Sequence, residues 1–83
     1  MHGQAKINTM AHTLHIEIFK TNVLDSRTAN QIIKVLVKQF PSCRFNFDLD
    51  DCDHILRVET TEDNTKKIIN TVEETGFLCQ LID

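Results

Sequence analysis

A strand followed by a helix, in residues 14–37, constrains the fold of this chain more than any other feature. Leu14, Ile16 and Ile18 alternate with other side chains, which is the period of a strand with one buried face. We therefore expect these three residues to face the core and Phe19 to face away from it. Apolar residues then recur at helical spacing, which predicts a helix that ends before Pro41. The apolar residues of this helix are Ala29, Ile32, Ile33, Leu36, Val37 and Phe40.

Three more strands and a second helix are predicted downstream. A strand over 43–49 is followed by a turn of aspartates, Asp50 to Asp53, and by a strand over about 54–60. A helix with Ile68, Ile69 and Val72 on its buried side ends at Gly76. The last strand covers 77–82.

A weak internal repeat relates the two halves of the chain. The residues Ile32, Ile33, Leu36 and Cys43 recur at constant spacing as Ile68, Ile69, Val72 and Cys79. Two such halves predict an α+β fold, a ferredoxin-like βαββαβ sandwich. Its antiparallel sheet has the order 4-1-3-2, with two helices on one face. Cys43 and Cys79 then lie about 14 Å apart, three strand spacings, which is too far for a disulfide bond.

Length and composition limit the class of protein. We expect a flexible leader over 1–12, with Met10 as an alternative start, and one domain over 13–83. A net charge of −3 without Trp or Tyr argues against nucleic acid as a partner. No apolar run approaches the roughly 20 residues of a membrane span, so no membrane insertion is expected. Three cysteines without paired spacing predict free thiols in the cytoplasm.

A candidate metal site lies in the aspartate turn. Cys52 and His54 flank Asp53, and the predicted topology brings Asp25 to the same end of the sheet. Thiolate, imidazole and carboxylate can together hold a divalent ion. The alternative, which we favour, is a polar turn with one chance thiol. The wider acidic run could bind Ca²⁺ or Mg²⁺, form a solvated hairpin tip, or dock a basic partner.

The sheet face without helices is the candidate interaction surface. Phe19, Ile55, Leu78 and Ile82 are apolar residues that we expect on this face. They would bind a protein partner or a second copy, in a weak homodimer. RNA-binding sheets of this topology stack bases on paired aromatic residues that are surrounded by basic residues. This face has one Phe in an acidic chain, so we do not expect it to bind RNA.

No catalytic or cofactor-binding residues are predicted. No Ser-His-Asp or Cys-His pairing lies at a credible catalytic loop, and two glycines in the whole chain leave no glycine-rich phosphate loop. We therefore do not expect an enzyme. A regulatory domain that binds amino acids would share the topology, but it would need a glycine in the first loop.

The span from Leu14 to Asp83 resembles the heavy-metal-associated domain of copper chaperones and metal-transporting ATPases. The segment that carries the resemblance is IINTVEETGF, residues 68–77, followed by LCQL. The resemblance implies the same fold and a first loop with Met-x-Cys-x-x-Cys that clasps Cu(I). The two thiolate positions fall near Asp25 and Thr28, and residues 20–30 contain no cysteine. The resemblance thus predicts a binding module that has lost its Cys pair and acts through protein contacts. The alternative is weak metal binding, or a transport-related role, through Cys52, His54 and nearby aspartates.

Overall fold

The computed structural model describes residues 14–83, which form four strands and two helices in the order βαββαβ. The predicted leader and the alternative start at Met10 lie outside these residues. The elements are β1 (His15–Thr21), α1 (Ser26–Gln39), β2 (Arg44–Asp48), β3 (Ile55–Thr60), α2 (Thr65–Glu74) and β4 (Cys79–Leu81).

The four strands form one open antiparallel sheet. Their order is β2-β3-β1-β4, which reads 4-1-3-2 from the β4 edge. Both helices contact each other and contribute to one apolar core, together with β1 and β3. The predicted α+β class, with two helices and a four-stranded antiparallel sheet, is confirmed.

The helix starts are stabilised in two different ways. At α1 the Asp25 carboxylate accepts a 2.7 Å hydrogen bond from the Thr28 backbone N–H, which lowers the pKa of Asp25. At α2 the N-cap residue Asn64 makes no side-chain cap bond. The Thr65 hydroxyl instead donates a 2.6 Å hydrogen bond to the Glu17 carboxylate of β1, which ties the helix start to the sheet.

The predicted orientation of β1 is wrong, because the strand turns Phe19 and not its isoleucines to the core. Phe19 is fully buried and lies opposite Leu56 of β3, whereas Ile16 is 42% exposed. The reason is that the helices cover one half of this strand. Its core side passes from buried Thr21 and Phe19 to half-buried Glu17 and exposed His15.

The helix faces are also rotated slightly from the prediction. Ile32 and Leu36 are the deeply buried residues of α1, and Ile33 is half-buried. Val37, expected in the core, is 46% exposed. In α2 the buried residues are Ile68, Thr71 and Val72, and Ile69 is half-buried. The repeat thus locates both helices correctly, but the first isoleucine of each pair faces the sheet.

Candidate functional site

Four isoleucines lie together on the sheet face that carries no helix. Ile16 and Ile18 belong to β1, Ile55 belongs to β3, and Ile82 follows β4. The backbone N–H of Ile82 donates a 2.8 Å hydrogen bond to the Ile18 carbonyl, which brings the two side chains next to each other. Ile16 and Ile82 are exposed, and the other two are half-buried. We call this set the isoleucine patch.

Charged and polar side chains of β2 and β3 border the isoleucine patch. Arg57 pairs with Ile18 across the strands, and its guanidinium Nη1 lies 2.7 Å from Glu59 Oε2. On the edge strand β2, Arg44 and Asp48 occupy the two ends of the same face. This border is mixed in sign, so the face is amphipathic and has no single strong charge.

The patch differs from the predicted interaction surface in two respects. Phe19 is fully buried in the core, so its assignment to the open face is wrong. Leu78 is 65% exposed but precedes β4, and its N–H donates to Asn22 Oδ1 at 2.8 Å. Sequence reasoning missed Ile16 and Ile18 because it assigned them to the core. Strict alternation shows that they share a face, but it does not show which face is covered.

The aspartate turn brings part of the predicted metal set together. One ligand atom each from Asp51, Cys52 and Asp53 lies within 4.8 Å of the others. Two contacts occupy the carboxylates: Asp51 Oδ1 accepts the Asp53 N–H at 2.8 Å, and Asp53 lies 3.7 Å from Lys20 Nζ. The turn therefore offers a small and exposed set of ligands that already take part in local contacts.

The other two predicted ligands, His54 and Asp25, lie outside that group. His54 has a positive φ of 47°, and its Nδ1 is buried without a hydrogen-bond partner among residues 14–83. Asp25 is engaged at the start of α1. Thr21 does connect the turn to the end of β1, because its N–H donates to the Asp53 carbonyl and its hydroxyl to the His54 carbonyl. The turn and the first loop thus share one end of the sheet, as predicted, without forming one ligand set.

The three cysteines are free, and their environments differ. Cys52 is exposed in the turn, whereas Cys43 and Cys79 are buried. Burial, followed by the nearby charge of Glu73, raises the pKa of Cys79 to about 12. Cys79 is therefore a packing residue that stays protonated at neutral pH.

Neither helix among residues 14–83 is long and apolar enough to cross a membrane. No family model, no curated protein and no solved structure matches the chain.

Proposed function

We propose that the chain is a small non-catalytic binding module with a ferredoxin-like fold, which acts through protein contacts. The element order and the sheet order support the fold assignment. The three free cysteines fit a reducing, cytoplasmic compartment.

The loop before α1 supports the assignment to a heavy-metal-associated-like domain in which helix capping has replaced metal binding. The two positions that the resemblance assigns to thiolates, Asp25 and Thr28, are hydrogen-bonded to each other at the start of α1. A carboxylate that caps a helix and a backbone N–H provide no soft ligand for Cu(I). The loop thus has a structural role that needs no metal.

The observation that carries the proposal is the isoleucine patch. A sheet face in contact with water normally alternates polar residues outward, as the β2 side of this face does. The side of β1 and β4 instead places Ile16, Ile18 and Ile82 next to each other. Adjacent exposed apolar side chains with a charged border are typical of a protein interaction site.

Site-specific photocrosslinking tests this proposal. A photoreactive phenylalanine analogue replaces Ile16 in one variant and Val35 of α1 in a matched control. The two positions are 42% and 38% exposed and lie on different faces of the molecule. In cells of the source organism we expect discrete protein adducts from position 16 and none from position 35. Equal labelling from both positions, or no adduct from position 16, would contradict the proposal.

Weak binding of a divalent ion at the aspartate turn is a second candidate function. It is favoured by the spacing of Asp51, Cys52 and Asp53, whose ligand atoms could meet one ion. Zn²⁺ titration followed by calorimetry, with Cys52→Ser as the control, tests it. Heat of binding that is lost in the variant supports this candidate, and no heat in either protein excludes it.

A further inference from the structure

We infer that the isoleucine patch binds the same patch of a second copy of this chain. The two copies are related by a two-fold axis that lies between the two sheets, parallel to their planes and perpendicular to the strands. The inference rests on the proposed function, in which this face makes protein contacts. It adds the identity of the partner and the arrangement of the two sheets.

Cross-strand pairing arranges the helix-free face in three rows. The first row contains Arg44, Glu59 and Ile16, which pair with one another across β2, β3 and β1. The second row contains Asn46, Arg57 and Ile18, with Ile82 beside Ile18. The third row contains Asp48 and Ile55 on β2 and β3, and Lys20 and Gln80 at the same end of β1 and β4.

The charges of the first and third rows are complementary. A two-fold axis perpendicular to the strands turns the first row of one copy onto the third row of the other. Arg44 then faces Asp48 of the second copy, while Glu59 lies over Ile55 and Lys20 over Ile16 of the second copy. Because the axis repeats every contact, the attraction between Arg44 and Asp48 occurs twice, once at each end of the paired β2 strands.

The second row places apolar residues against their own copies. Ile18 faces Ile18 and Ile82 faces Ile82, at about the 10 Å separation that packed sheets adopt. Arg57 also faces its own copy, but its guanidinium is already held by Glu59 at 2.7 Å. The middle of the interface is thus an apolar contact between β1 and β4 of both copies.

The other two-fold arrangement, with the axis parallel to the strands, fits poorly. It would turn β3 onto β1 of the second copy and set Glu59 on Ile16 and Arg57 on Ile18. It would also set Lys20 on Ile55, so that six charged groups of the dimer lose water against isoleucines. The perpendicular axis does this to four charged groups and adds the two contacts between Arg44 and Asp48. The row pattern therefore selects the perpendicular axis.

The size of the face predicts a weak dimer. Four strands about 4.8 Å apart and some 20 Å long cover roughly 400 Å² in plan, about half of what each partner of a stable interface buries. We therefore expect a dimer that is populated only at high protein concentration. Such a dimer would form where the local concentration of the chain is high.

Two single charge reversals and their mixture test the arrangement. Arg44→Asp places like charges in both edge contacts of its homodimer, and so does Asp48→Lys. A mixture of the two variants forms a heterodimer in which both edge contacts are again attractive. In sedimentation equilibrium we expect each variant alone to associate at least about threefold more weakly than the parent, and the mixture to recover most of that loss. Urea unfolding of each variant checks that the fold is retained.

Ile18→Asp separates failure of the inference from failure of the proposed function. We expect this variant to be monomeric, because it puts four carboxylate oxygens in the middle of the interface. If Ile18→Asp abolishes association and the mixture does no better than its components, the proposed arrangement is wrong. A parent chain that is monomeric at every concentration, or a dimer that Ile18→Asp leaves intact through its β4 edge, overturns the second copy as the occupant. In those cases photocrosslinking from position 16 to other proteins still decides the proposed function.

Discussion

Phe19 of β1 lies directly opposite Leu56 of β3, and both side chains are 0% exposed. This pair fixes which face of β1 packs under the helices. Because successive side chains of a strand point to opposite faces, Ile16 and Ile18 must then lie on the helix-free side. The isoleucine patch is therefore a direct consequence of how the core is packed.

The orientation of β1 predicts unequal effects for two neighbouring substitutions. Phe19→Ala removes a fully buried ring and should lower the free energy of unfolding by about 3–5 kcal/mol. Ile18→Ala, on the half-buried face, should cost less than about 1.5 kcal/mol. Urea denaturation of both variants measures the difference. Equal losses, or a larger loss for Ile18→Ala, would reverse the orientation described for this strand.

The hydrogen bond between Thr65 and Glu17 should contribute to stability at the start of α2. Thr65→Val retains the shape of the side chain but removes the donor, and Glu17 Oε1 is already buried without a partner among residues 14–83. We expect a loss of about 1–3 kcal/mol in the free energy of unfolding. Thr65→Ser keeps the hydroxyl and serves as the matched control. A loss as large for serine as for valine would show that the methyl contacts matter and the bond does not.

Burial of the Cys79 thiol should make stability fall at alkaline pH. The pKa of Cys79 is raised from 9.0 to about 12, so the native state keeps this proton after the unfolded chain has lost it. The unfolded state therefore binds fewer protons between pH 9 and 12, and stability decreases as pH rises through that window. The contribution is fully present below pH 9. Urea unfolding at pH 8 and pH 10, compared with Cys79→Ala, should show a smaller pH-dependent loss in the variant. Identical pH profiles would contradict the burial of this thiol.

The first loop should not bind Cu(I) tightly. Asp25 and Thr28 provide no thiolate, and they are engaged with each other in the helix cap. Titration with Cu(I) against a competing chelator should leave the metal with the chelator. A tight one-to-one complex that Cys52→Ser removes would place the metal at the aspartate turn. A complex that survives substitution of all three cysteines would require other ligands.

Periodicity predicted the order of the elements because both helices and the hairpin have local signals. The helical apolar spacing, Pro41 after α1 and the aspartates between β2 and β3 all depend on nearby residues. The buried face of β1 depends on which half of the strand the helices cover, and this is set by packing across the whole domain. Glu17 favours the wrong orientation in the sequence, because a carboxylate normally faces solvent. It lies on the core side of β1 since the Thr65 hydroxyl donates a hydrogen bond to it.

The candidate site was predicted in part for the same reason. Ile55 and Ile82 lie on the helix-free face as expected, because their strands were oriented correctly. Alternation alone places Ile16 and Ile18 in the core, because it gives β1 the wrong orientation. In the aspartate turn, short spacing brought Cys52 and Asp53 together, whereas His54 leaves the group through its left-handed backbone conformation.

A dilution series of two-dimensional ¹H–¹⁵N NMR spectra tests the central claim most directly, because it reports on each backbone amide of the full chain. If the isoleucine patch is the contact surface, amide shifts of Ile16, Ile18, Arg57 and Ile82 should change together as concentration rises. Amides on the outer faces of α1 and α2, including Val35, should stay constant. Shifts that change on the helices, with β1 and β3 unaffected, would contradict the claim that this protein makes its contacts through the helix-free face of its sheet.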